Sequence, residues 1–158
     1  MKEGLLMIRL ATRADLPALM GLAAALTQEM ATLAPQTIQP AASDAEDFAA
    51  YLDDPASAVF VNVAGATITG FARVVTATTS TEATSVFHRF AYLIDLYVAP
   101  TARRQGHGQQ LLTAIQDWGQ ALQLDFIQLN VLAANDAARA FYARHDFVAS
   151  WLTLQRPL

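Results

Sequence analysis

The residues whose types and spacing could do chemistry sit together in Arg103-Arg104-Gln105-Gly106-His107-Gly108-Gln109. Two guanidinium groups precede two glycines, and Leu111, Leu112, Ile115, Trp118 and Leu122 then follow at helical spacing. Before the loop runs Ala91-Tyr92-Leu93-Ile94-Asp95-Leu96-Tyr97-Val98, apolar and β-prone, closed by Pro100. A strand, a basic glycine loop and a helix in that order make an anion site. The first N–H groups of a helix have no intrahelical partner and face outward. Glycine lets a ligand approach the backbone, and arginine offers phosphate a bidentate match. Each N–H bond to a charged group contributes about 1.5–3 kcal/mol, more than the roughly 0.3–1 kcal/mol of the helix dipole. The competing reading is a surface connection with two solvated arginines. The spacing lacks the third glycine of a dinucleotide loop and the Gly-Lys-Ser/Thr ending of a P-loop.

The elements that would position this loop can be read in chain order. Met7 to Leu10 predicts a short strand, and Thr12-x-x-Asp15 with Pro17 predicts a helix start. Leu16, Leu19, Ala23, Leu26 and Met30 mark that helix's buried face. Ser43-x-x-Glu46 predicts a second, short helix ending before Pro55. Ala58–Val63 and Ala66–Val75 predict a hairpin turned at Ala64-Gly65, and the long strand is expected over Phe87–Val98. The loop helix should run to about Leu122, Ile127–Val131 alternates as a strand, Asn135 opens a further helix, and Val148–Arg156 is expected to close the chain as a strand. The order β, α, α, β, β, β, α, β, α, β implies an α/β (α+β) fold, with a mixed, mostly antiparallel central sheet and helices on both faces.

Composition narrows the function. At 158 residues, residues 1–158 are expected to form one domain. With 54% hydrophobic and 15% charged residues the chain has ample material for a core. A net charge of −4 argues against a general nucleic-acid partner. There is no cysteine, so thiol nucleophiles and thiolate metal sites are excluded, and His88, His107 and His145 lack metal-ligand spacing, so no metal is expected. No signal segment or membrane-spanning run is apparent, and the expectation is a cytoplasmic protein that does not act at a membrane.

Arg103-x-x-Gly106-x-Gly108, after Leu96-Tyr97-Val98-Ala99-Pro100, resembles the acetyl-CoA signature Arg/Gln-x-x-Gly-x-Gly/Ala of the GNAT family of N-acetyltransferases. Asn135-x-x-Ala138-x-x-Phe141-Tyr142 is similar to that family's second motif, Asn-x-x-Ala-x-x-Phe-Tyr. The resemblance covers nearly the whole chain and is strongest from Ala91 to Phe147. It implies acetyl-CoA as co-substrate, held by Arg103, Arg104, Gln105, Gly106, His107, Gly108 and Gln109 and by Asn135, Ala138, Phe141 and Tyr142. It also implies a β-bulge that frees the backbone of Leu96, Tyr97 and Val98 for the pantetheine arm. Asn135 is equally suited to cap its helix. Tyr142 is implied as the hydroxyl beside the sulfur, against the alternative of a packed aromatic. The family follows this helix with Gly-Phe, whereas this chain has Asp146-Phe147, and aspartate tolerates the left-handed turn.

An amine of pKa about 10.4 needs roughly 4.6 kcal/mol to be neutral at pH 7, so a base is wanted. Asp95 is the carboxylate in the central strand, weak as a base unless burial raises its pKa, and a water-mediated base is the alternative. Tyr92 and His88, upstream on the same strand, are candidates to line the acceptor pocket. The resemblance implies direct attack of a bound amine in a ternary complex, with a small-molecule acceptor. Its rivals are a protein or peptide N-acetyltransferase and a non-catalytic acyl-CoA-binding regulatory module. A homodimer through the apolar C-terminal segment around Trp151, Leu152 and Leu154 is a further expectation.

Overall fold

The structure is a computed structural model that describes residues 6–158. The elements are β1 (Leu6–Leu10), α1 (Leu16–Leu33), α2 (Ala45–Asp53), β2 (Ser57–Ala64), β3 (Thr67–Thr78), β4 (Arg89–Val98), α3 (His107–Ala121), β5 (Ile127–Leu129) and α4 (Asp136–Arg144). One sheet runs in the order β1-β2-β3-β4-β5. Neighbours are antiparallel except β4 with β5, which is parallel. The mixed, mostly antiparallel sheet is therefore as expected, and no helix among the described residues is long and apolar enough to cross a membrane.

Local chemistry explains where the elements begin. The Asp15 carboxylate accepts from the Thr12 N–H at 2.7 Å and receives both Arg9 guanidinium nitrogens, at 2.6 and 2.9 Å. It thereby ties β1 to the turn that starts α1. At α2 the cap is Asp44, whose side chain accepts from Glu46 N at 2.8 Å, rather than the Ser43 box expected from spacing. A carboxylate is the stronger acceptor for an orphan N–H. The β2–β3 turn uses Gly65 at φ +63°.

Two apolar layers flank the sheet. Leu19, Ala23, Phe48, Val59, Val61, Phe71 and Tyr97 pack under α1 and α2. Ala72, Val74, Ala91, Leu93, Leu111 and Ile115 pack under α3. Residues of one strand should keep to one face at every second position, yet β4 gives Ala91 and Leu93 to the α3 layer and Tyr97 to the α1 layer. The cause is a bulge: Arg73 pairs with Asp95 and Val74 with Leu93, so Ile94 is an extra residue. One added residue turns every later side chain to the other face.

The C-terminal segment departs from expectation. No strand forms over Val148–Arg156, and Trp151 is 90% exposed, with Leu152 and Leu154 also in solvent. β-Propensity cannot make a strand without a neighbour to complete its hydrogen bonds. β5 is three residues long and, among the described residues, pairs with β4 alone, so the described sheet ends there. The long strand likewise starts at Arg89 rather than Phe87, leaving Phe87 exposed.

Candidate active site

The site is built on the divergence of β4 and β5. They pair at Ala91–Ile127, Tyr92–Gln128 and Leu93–Leu129, and pairing stops there. Among the described residues, β4 continues from the Ile94 bulge to Val98 against β3 alone, with its other edge turned to the gap. Apart from the Val98 carbonyl, which accepts from Arg103 Nε, such an edge presents N–H and C=O groups that accept an extended ligand by strand addition. The gap opens a cleft of about 120 Å³, lined by Asp95, Leu96, Asn130, Asn135, Ala138 and Tyr142 among others. Leu26 and Met30 of α1 close its other side.

Asp95 reaches this cleft because the bulge turns it away from the α3 layer. The Arg73 guanidinium donates to its Oδ2 from Nε at 2.8 Å, and Nη2 completes the ion pair 2.7 Å from the same oxygen. Arg73 is itself sandwiched by α2, with its guanidinium carbon 4.6 Å from the Phe48 ring centre and 4.5 Å from that of Tyr51. Burial pushes the Asp95 carboxyl above the ordinary range against the opposing pull of Arg73. Tyr142, from α4, is pushed up to about 12, first by burial and then by the Asp95 charge. Its phenol therefore stays protonated at neutral pH and keeps an O–H to donate. The ring is fixed against Phe141 and Phe147, at 5.3 and 5.4 Å between centres.

At the far end of the exposed edge stands the N-terminus of α3. Its cap residue is Gly106 in the left-handed region, φ +85°, with no side chain capping the first N–H groups and open space over its Cα. These donors suit the phosphates of a nucleotide-bearing ligand. Gly108 has a different reason for being glycine: a Cβ there would lie 3.2 and 3.3 Å from the Phe141 ring. It lets α4 pack against α3. The Asn135 side chain accepts from Ala138 N at 3.1 Å, so it caps α4 as its type suggested.

The loop's basic residues divide. Arg103 is held by Glu29 of α1, to which its Nη2 donates at 2.8 Å to each carboxylate oxygen, and its Nε donates to the Val98 carbonyl at 2.9 Å. Tyr97 donates to the same Glu29 at 2.9 Å. Arg103 therefore clamps the loop to α1 instead of standing open to phosphate. Arg104 is exposed at φ +62°. Gln105 donates to the Thr101 carbonyl at 3.2 Å and keeps the turn compact. His107 is turned inward, 5% exposed, so its backbone alone faces the anion site. Gln109 borders a larger depression of about 550 Å³ between α3 and Ile8 of β1, which includes neither Asp95 nor Tyr142.

Of the acceptor candidates, the Tyr92 hydroxyl accepts from Asn130, a cleft residue, at 3.1 Å. His88 is not brought to the cleft. It lies at the other end of β4, with Nδ1 3.0 Å from Asp125 and its ring against Phe126. Sequence reasoning missed Arg73 and Glu29. Arg73 left a signal, since a charge inside the apolar run Phe71-Ala72-Arg73-Val74-Val75 demands a buried partner. Glu29 left none, because its partner is 74 residues away.

Among solved structures, a point mutant of the BH1408 protein from Bacillus halodurans is 27% identical, with a TM-score of 0.90 over 96% of this chain and 99% of that one. An aminoglycoside acetyltransferase from an uncultured soil metagenomic sample, in complex with sisomicin, is 21% identical with a TM-score of 0.69 over 97% of this chain and 95% of that one. The aminoglycoside N-acetyltransferase AAC(6')-Iy, in complex with CoA, is 18% identical with a TM-score of 0.75 over 96% and 98%. At those identities the last two show a shared fold. A comparison with curated proteins gives no match. The model of the acetyltransferase (GNAT) family matches residues 20–147, a span that takes in the diverging strands, the glycine loop and α4 together, and the chain belongs to that family.

Proposed function

We propose that the protein is an acetyl-CoA-dependent N-acetyltransferase that acetylates a primary amine on a small molecule by direct attack in a ternary complex. The observation that carries this reading is the exposed edge of β4 beyond Leu93, running between the uncapped N-terminus of α3 and the cleft that holds Asp95 and Tyr142. Pantetheine suits the edge, the pyrophosphate suits the α3 donors, and the thioester then falls in the cleft. The sisomicin and CoA complexes of the two aminoglycoside enzymes support a small amine and CoA as ligands of this fold.

In this reading the neutral amine nitrogen attacks the thioester carbonyl carbon, the C–N bond forms, and the C–S bond then breaks with its electron pair on sulfur. Tyr142 donates a hydrogen bond that strengthens as charge builds there. The amine's proton leaves to Asp95, directly or through water, and passes to solvent, from which the thiolate is protonated. With no cysteine in the chain, a cysteine-linked acetyl-enzyme is excluded.

The test is thiol release from acetyl-CoA with a panel of small amines, aminoglycosides included, beside a panel of peptides. Turnover on small amines supports the proposal, and preference for peptides would replace the acceptor class. Calorimetric CoA binding with no turnover on either panel would make the protein a binding module.

A further inference from the structure

A second bulge lies beneath the anion site. Asn62 pairs with Gly70 and Val63 with Ile68, so Thr69 is an extra residue in β3. The Thr69 hydroxyl sits 2.9 Å from Nδ1 of His107, the first residue of α3. Asn62, fully buried on β2, donates from Nδ2 to the His107 carbonyl at 3.3 Å. Gly70 makes room, since a Cβ there would lie 2.8 Å from both Asn62 Oδ1 and the Tyr97 carbonyl. The Thr69 carbonyl accepts from Ala99 N at 2.8 Å and so also holds the start of the loop. Three polar side chains from two strands and a helix thus meet in an otherwise apolar layer. Asn62 Oδ1 has no partner among the described residues, so it is the directed contacts of Asn62 Nδ2 and the Thr69 hydroxyl that fix one geometry where apolar packing tolerates several.

We propose that Thr69, Asn62 and the inward-facing His107 are positioning residues for the phosphate cradle, fixing the height and direction of the first α3 N–H groups from below. This rests on the acetyl-CoA reading above. The bulge is what aims Thr69 at α3, and His107 acts through its inward ring while its outward backbone stays free for the ligand. None of the three side chains touches the ligand, so their effect is confined to the part of CoA that lies over α3.

The experiment compares calorimetric affinities for CoA and for pantetheine, which lacks the pyrophosphate, in the wild-type protein and in Thr69→Val, Thr69→Ser and His107→Asn. Thr69→Val keeps the shape at a half-buried position and removes the hydroxyl. We expect it to weaken CoA binding roughly 3–10-fold, the scale of one hydrogen bond, while pantetheine binding is unchanged. Thr69→Ser should restore CoA affinity, and His107→Asn, which keeps an amide near the Nδ1 position, should stay within about 3-fold of wild type. Unchanged CoA affinity in Thr69→Val overturns the inference, and so does an equal loss for both ligands, which marks a general disturbance of the fold. A wild-type protein that binds pantetheine or CoA equally weakly removes the phosphate cradle itself. Wild-type CoA binding with no acetyl transfer leaves this inference standing and removes the catalytic reading instead.

Discussion

Tyr142 and Asp95 show how burial sets the chemistry open to a side chain. With its pKa at about 12, Tyr142 is a far weaker acid than a thiol near 8.5. Full proton transfer to the departing sulfur is uphill by about 5 kcal/mol at about 1.36 kcal/mol per pH unit. A hydrogen bond made chiefly in the transition state is what remains. Tyr142→Phe should therefore lower kcat roughly 10²-fold with CoA affinity unchanged. Steady-state kinetics beside calorimetry checks this, and an unaltered kcat would return the ring to a packing role. For Asp95 the ionised form must accept the proton, so kcat/KM should rise with pH through a pKa above the ordinary carboxylate range. Arg73 opposes that elevation. Arg73→Met should move the limb to higher pH, and Arg73→Lys, which keeps the charge, should move it less. A pH–rate profile that ignores both substitutions would leave Asp95 as Arg73's structural partner.

Among the elements, α3 and α4 depend on each other through one missing Cβ. Gly108 faces the Phe141 ring on α4, and the next residue of α4 is Tyr142. Gly108→Val puts branched carbon where even a Cβ would lie 3.2 Å from that ring, so α4 must move away from α3. We expect lost CoA affinity and lost turnover together, with the circular dichroism of the fold retained. Normal binding in this variant would show that α4 yields without disturbing the site. Gly106→Ala tests a separate requirement. Space is open there, but φ is +85°, a conformation costing an L-residue about 1–2 kcal/mol. A fall in melting temperature should accompany the weaker ligand binding.

At the scale of the whole molecule, the Arg9–Asp15 pair joins the first strand of the sheet to the first helix. Arg9 holds the Asp15 carboxyl at about 2, below its ordinary 3.8. A depressed folded pKa contributes stability that is present above the unfolded value and lost as pH falls through the folded one. The full difference corresponds to about 2.5 kcal/mol, and the 35% exposure of the Arg9 side chain lowers the expected figure to about 1–2 kcal/mol. Asp15→Asn should remove that stability at pH 7 and flatten the loss between pH 4 and pH 2, read by denaturant unfolding across pH. The exposed segment after α4 also acts at this scale. Trp151, Leu152 and Leu154 lie in solvent in the single chain, and association of two chains through them is the expectation. Light scattering with and without residues 148–158 decides it; a monomer in both forms removes the idea.

Local signals in the sequence determined what depends on neighbours along the chain. The anion loop was legible because Gly106, Gly108 and the helical apolar stripe after them lie within a few residues of one another. The Asn135 cap, the left-handed Asp146 and the hairpin turn at Gly65 were legible for the same reason. The alternation of apolar residues implied the strands and helices on both faces, and the two motifs together identified the family. Tertiary structure decided what depends on register and on distant partners. The family resemblance implied a bulge, but its place at Ile94, which swings Asp95 and Tyr97 across the sheet, is a property of how β4 meets β3 and has no residue type to announce it. Arg103 looked open to phosphate until α1 brought Glu29 beside it, and His107 looked like a loop ligand until Thr69 received its ring from below. Val148–Arg156 has the composition of a strand and is none, because a strand also needs an edge with hydrogen bonds to give, and that edge must come from elsewhere in the fold.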